Sequence, residues 1–500
     1  TGLTAVNLSG TTVTGGTLAG TAAITVNAAT ATLDSATLNT NIIISNSGTL
    51  HLKNGLSFAN SGHSITLGNG ANYGYLVYDN TQTVTGSGSL VFGTTNGYTA
   101  SLYANANNGS VLTLDTGITV SGTASGSTAY ANIGTNTYDK IINKGTITAS
   151  QANRTFTTNG TFTNASGANL NVSNGTFNLG NGAPDTWSNA GSIAVSGGTL
   201  NLAGTIKTDN LGSITQSGSG AVNLNAALDN TAASNPVTNG IFNLTTTGLT
   251  AVNLSGTTVT GGTLSGTAAV TVNGGTATLD SATLNTNVVI YNSGTLHLKN
   301  GLTLIGGHSV TIGNGTNYGY LNYDNTGTIT GTGSLIFGST NGYRAILSAN
   351  SNNGSVLTLD TGITLSGTAS ASTSYADIGE NSYDKIINKG SITADQANRT
   401  FRTYGTFTNA AGAHLDVSSG DFNLGNGVSD TWSNAGTISV SAGGILNLGG
   451  TLTALNLGTI SRTVGSTVNL SGTLDLAGGS VDIGNSGLFG SGGLTSLTGT

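Results

Sequence analysis

Tyr73, Tyr75 and Tyr78 form a tight group that returns as Tyr318, Tyr320 and Tyr323. A tyrosine ring is apolar with a polar tip, so an exposed group can stack on sugar rings or fill a lateral contact. The competing use is an aromatic stack in a core or an anchored loop. Asp139 with Lys140 and Lys144 likewise returns as Asp384 with Lys385 and Lys389. Metal binding, proton abstraction or glycoside cleavage would need several acids beside a base. With only 19 acids in 500 residues, these sets read as solvated corners carrying one charge pair. His51 and His297 lie between Leu50/Leu52 and Leu296/Leu298, so period-two alternation turns them outward, with no acid near in sequence. His63 and His308 fall at corners, and His414 stands where the other copy has Asn169. With no Cys, no GGxGxDxUx repeat and no acidic loop spacing, no metal, cofactor or catalytic residue is expected. The six tyrosines remain as candidate ligand or lateral contacts.

The elements that must position them are strands. Thr, Ser, Asn and Gly make up about 55% of the chain, only 6% is charged, and there are 79 Gly against 2 Pro. The good helix formers are scarce, and Glu occurs once, at Glu380. Collagen is excluded because Gly has no three-residue period. A net charge of −7 with 36% hydrophobic residues does not fit a disordered chain, and no apolar run approaches the ~18 residues of a membrane helix. The 12 Lys+Arg are scattered, so no basic stripe for nucleic acid exists. The absence of Cys fits export, since free thiols are a liability outside the cell. Thr1-Gly2-Leu3-Thr4 is neither an initiating Met nor a signal segment, and reads as the interior of a longer processed chain.

Two periods are superimposed. Thr1–Gly16 recurs unchanged from Thr247, YDKIINKG at Tyr138 recurs at Tyr383, and DTWSNAG at Asp185 recurs at Asp430. The expected organisation is copy one over 1–246, copy two over 247–492 and the start of a degenerate third copy over 493–500, all in one continuous solenoid. Inside each copy, Ile147, Leu170, Ile193 and Ile214 are spaced 23, 23 and 21 apart. A second series, Phe177, Leu200 and Val222, runs in phase with it, and Phe162, Trp187 and Ile206 form a looser third. Copy two repeats them with Ile392, Leu415, Ile438 and Ile460. Leu90 and Leu112 extend the pattern at a spacing of 22. Leu200 should point inward, and Asn201 should point outward and tolerate Asp. Phase-locked alternating strands at this period describe stacked coils of parallel strands with Gly and Asn at the corners. The fold expected is all-β, a parallel β-helix (β-solenoid) of about 22 residues per rung, two to three strands per rung. Some 22 rungs would give an elongated rod on the order of 100 Å.

The G-T-[LIF]-x-[LV] strands, the N-x-G corners and the Thr/Ser/Asn/Gly bias resemble the right-handed parallel β-helices of secreted bacterial surface proteins. These include filamentous-haemagglutinin-like exoproteins, autotransporter passengers and giant repetitive adhesins. The resemblance covers the whole chain and implies an extracellular, cell-surface location. It implies the rod of a larger secreted protein acting in adhesion, cell–cell contact or filament formation, and not an enzyme. The partners it implies are the chain itself, end to end or laterally, further repeats, and surface glycans. Nucleic acid and membrane insertion are not implied. Two alternatives stand beside it: a carbohydrate-binding module using the Tyr clusters, and a polysaccharide-degrading β-helix enzyme.

Overall fold

The computed structural model describes residues 5–441, 443–476, 478, 480–482 and 487–488. The expected third copy, 493–500, lies outside the described residues. Many turns of the chain lay down three short strands, while in others the second and third share one longer strand, as in Thr30–Asn39 and Gly48–Phe58. Thr146–Ala149, Arg154–Thr158 and Thr161–Asn164 make one turn, and Asn169–Val172, Thr176–Leu179 and Thr186–Asn189 make the next. The strands of these turns pair in parallel with their counterparts one turn on: Ile147 on Leu170, Phe156 on Phe177, Phe162 on Trp187. The result is a solenoid with a first, second and third wall. Among the described residues its only helices are two short 3-10 turns, Thr208–Asn210 and Ala454–Leu457, and no helix is long and apolar enough to cross a membrane.

The walls follow from alternation. In Thr176–Leu179, Phe177 and Leu179 are buried and Thr176 and Asn178 are not. Burying each such apolar side chain contributes roughly 1.5–3 kcal/mol, and only the next turn can supply the covering surface. The second wall stacks Phe156 flat on Phe177, with centroids 5.9 Å apart, and Phe401 on Phe422 at 5.7 Å. Corners are tight. At Gly160 the backbone is left-handed (φ 77°), and a Cβ there would meet the carbonyl oxygen of Asp139 at 2.3 Å. The corner after the third wall carries a buried amide ladder. Asn143 donates to Asn164 at 2.9 Å, Asn164 to Asn189 at 2.8 Å, and Asn189 to the Leu211 carbonyl at 3.1 Å. Asn388, Asn409 and Asn434 repeat it.

Two compact units result. One runs to Asp229 and adds Ala233–Asn239 and Asn243–Val252; the other takes Asn230–Ala232, Gly240–Phe242 and the chain from Asn253 onward. The first wall has ten strands in the former, from Ala5–Asn7 to Ser213–Gln216. In the latter, described strands pair in series from Ala269–Asn273 to Thr459–Arg462. There are about 20 turns of roughly 23 residues, slightly fewer and longer than the spacing predicts.

The series Ile147–Leu170–Ile193–Ile214 and Phe177–Leu200–Val222 stack as expected. Leu90 and Leu112 do not. Leu90 is on the first wall against Val120, thirty residues on, whereas Leu112 is on the third wall between Gln82 and Ile141. Long corners after Ala104 and Gly122 lengthen these turns, so a fixed period fails there.

Candidate ligand-binding surface

The tyrosine groups divide. Tyr78 and Tyr323 are inside the core at 0% and 1% exposure, which takes them out of any surface contact. The Tyr78 hydroxyl donates to the Lys140 carbonyl at 3.2 Å and accepts the Lys140 N–H at 3.0 Å; Tyr323 does the same with Lys385. Burial pushes both hydroxyls far above the usual phenol range. Tyr73 and Tyr75 remain on the outside, as do Tyr318 and Tyr320. Each pair stacks at 6.4 Å, and a tyrosine from the next turn closes edge-on, Tyr98 at 4.9 Å and Tyr343 at 5.2 Å. The second-wall strands and the corners just before them thus bring three rings together in each copy.

The acidic and histidine positions differ from the sequence reading. Asp139 is not a solvated corner residue: it is fully buried, and its carboxylate accepts the N–H groups of Ala104, Thr135 and Asn136 at 2.6–2.7 Å. Asp384 caps Ala349, Glu380 and Asn381 in the same way. The carboxylate is committed to backbone donors that a corner would otherwise leave unpaired. His51 and His297 point outward but are only 19% and 15% exposed. Each meets an acid, Asp79 at 2.7 Å and Asp324 at 2.6 Å, delivered by the next turn. His63 lies 2.9 Å from Asn39, and His414 lies 2.8 Å from Thr437. Among the described residues no group of three or more His, Cys, Asp or Glu could hold a metal ion.

Sequence reasoning missed one cluster altogether. On the outer face of the second wall in copy two, Tyr320, Ile346, Asp377 and Arg402 stack in one row over four turns. The Asp377 carboxylate is completely covered and lies between two guanidinium groups. Arg344 Nε is 2.5 Å away, and Arg402 binds with Nε at 2.7 Å and Nη2 at 3.0 Å. Such two-point contact to both carboxylate oxygens fixes the plane of the guanidinium. Arg344 also reaches Glu380 at 3.4 Å. Arg402 lies over the Tyr375 ring, 4.0 Å from its centroid, and 5.8 Å from that of Tyr404. Burial raises the Tyr320 hydroxyl above its ordinary value, with Glu380 and Tyr318 adding and Arg344 opposing, so the rings and the charges share one environment.

In copy one the same positions hold Thr99, Asn132, Thr135, Thr157 and Asn159 where copy two has Arg344, Asp377, Glu380, Arg402 and Tyr404. The cluster therefore contains two of the five arginines in the chain and its one glutamate. That contrast between copies is the sequence signal that would have located it. No family model matches the chain, and no curated protein matches it.

Proposed function

We propose that the chain is a structural and adhesive segment of an extracellular fibre, part of the repetitive rod of a larger secreted surface protein, without catalytic function. The observation that carries this reading is the shared register of the two copies. Ile147, Leu170, Ile193 and Ile214 stack as Ile392, Leu415, Ile438 and Ile460 do, with the same three walls around them. Repeated turns in a shared register add length without changing the core, which suits a spacer and does not suit a fold shaped around one groove. The resemblance to secreted β-helix surface proteins points the same way. Sheet edges at the ends of such a stack favour pairing with further repeats or with a second chain.

Beads coated with the full chain test this reading. They are expected to clump with one another or attach to cell surfaces, while uncoated beads do neither. No reducing ends should be released from a polysaccharide panel incubated with the chain. Release of reducing ends, or beads that neither clump nor attach, would contradict it.

A further inference from the structure

We propose that the outer second wall of copy two, around Arg344, Asp377, Arg402 and Glu380, is a binding site for a neutral polyhydroxylated ligand, a pyranose oligosaccharide. The proposal deepens the adhesive reading, because it names what one part of the surface holds. Three observations lead to it.

The first is concentration. A chain that is 6% charged collects two of its five arginines and its one glutamate within a single network, and surrounds them with Tyr318, Tyr320, Tyr343, Tyr375 and Tyr404. The second is dispensability to the fold. Copy one builds the same wall with Thr and Asn at the corresponding positions: Ser101, Asn132 and Thr157 stack there in the register that Ile346, Asp377 and Arg402 use. Packing alone therefore does not require the cluster. The third is preorganisation. Asp377 fixes the Arg402 guanidinium plane by two-point contact, Asp377 and Glu380 together hold Arg344, and Tyr375 covers Arg402, so little side-chain freedom is left to lose on binding.

The chemistry selects the ligand. Two arginines against one aspartate and one glutamate leave the network with no net charge, so it offers no excess attraction to a polyanion such as a nucleic acid. It does present fixed donors, on Arg344 at 30% exposure, and an acceptor, on Glu380 at 35% exposure, beside half-exposed tyrosine rings. Hydroxyl pairs on one edge of a sugar and an apolar C–H face on the other match this combination of polar groups and aromatic surface. The row from Tyr320 to Arg402 crosses three inter-strand spacings, roughly 14 Å, which makes an extended oligosaccharide a better fit than a single ring.

The test uses the full chain in gels containing dextran, β-1,3-glucan or galactomannan, with heparin as the anionic arm. At least one neutral polysaccharide is expected to retard it, with one site per chain by titration against the soluble oligosaccharide. The variant Arg344→Thr, Asp377→Asn, Glu380→Thr, Arg402→Thr, Tyr404→Asn carries copy-one residues and keeps the wall. It should lose binding at least tenfold with its circular dichroism unchanged. Placing the five copy-two residues at 99, 132, 135, 157 and 159 should raise the stoichiometry to two. Retardation by none of the neutral polymers, retardation by heparin alone, or equal binding by the fivefold variant would overturn the proposal. A chain that fails here yet still coats clumping beads would lose this site and keep its reading as a fibre.

Discussion

Arg399 crosses Gly367 so closely that a methyl group on residue 367 would stand 2.1 Å from its Cδ. Arg154 crosses Gly122 at the same distance in copy one. The Arg399 guanidinium is 1% exposed and donates to the carbonyls of Thr368 at 3.0 Å and Ser339 at 2.6 Å. Among the described residues no carboxylate pairs with it, and burial pulls its pKa down to about 10.

Gly367→Ala should therefore expel the guanidinium, orphan the buried Ser339 carbonyl and strip the partly buried Thr368 carbonyl of its donor, at a cost of roughly 2–4 kcal/mol. Chemical denaturation checks it, and a variant as stable as the parent would show that Arg399 has room to move. The sign of the pH effect follows. A base with a depressed folded pKa is penalised wherever it is charged, so the penalty is constant below about 10 and is relieved only as pH rises above that toward the ordinary arginine range. Stability between pH 6 and 9 should show no slope from this residue.

Asp421 stands in copy two where copy one has Thr176, stacked between Thr400 and Ile445. Burial pushes its carboxyl above the ordinary 3.8. Its charged form is disfavoured on folding, so the penalty grows as pH rises through the folded pKa and is absent well below 3.8. Asp421→Thr should raise the melting temperature at pH 7 and leave it unchanged at pH 3. An equal shift at both values would assign the effect to packing.

Leu200 and Asn201 differ in kind, though less than alternation alone implies. Leu200 is fully buried, and Leu200→Asp should cost several kcal/mol. Asn201 is not a free outer residue: its amide donates to Asn178 at 2.7 Å and its oxygen accepts from Asn223 at 2.8 Å. Asn201→Asp removes one of these donors, so a loss of about 1 kcal/mol is expected instead of full tolerance. Melting curves of both variants check the order, and equal losses would mean the two faces are not distinguished.

How much of this was legible depends on turn length. From Ile147 to Ile214 the corners are short and the period is nearly constant, so spacing alone gives the register of the first two walls. Around Leu90 the corners lengthen, and counting residues no longer tells which side chain lies above which. The pairs His51–Asp79 and Arg402–Asp377 are 28 and 25 residues apart and form only because intervening turns have particular lengths. Which of the two uses Tyr78 takes, core or surface, was hidden for a related reason. Its neighbours Tyr73 and Tyr75 face outward, but the partner that fixes its hydroxyl is Lys140, 62 residues on.

The buried and exposed asparagine ladders should separate by solvent. Asn164→Ala strands Asn143 and Asn189 in the interior and should cost about 2–3 kcal/mol. Asn178→Ala breaks the outer ladder, where water replaces the lost partner, and should cost under about 1 kcal/mol. Hydrogen exchange at the corner amides after the third wall would register the first change and not the second. Matching stability losses would mean the outer ladder is as dry as the inner one.

The proposed fibre role requires that stacked turns add length. Small-angle scattering of the full chain beside residues 1–252, the span that completes the first compact unit, tests it most directly. If all turns stack in one rod, the cross-sectional radius is the same for both and the radius of gyration roughly doubles. A compact body of twice the residue number would grow only about 1.3-fold. A ratio near the lower figure would contradict the single-fibre account.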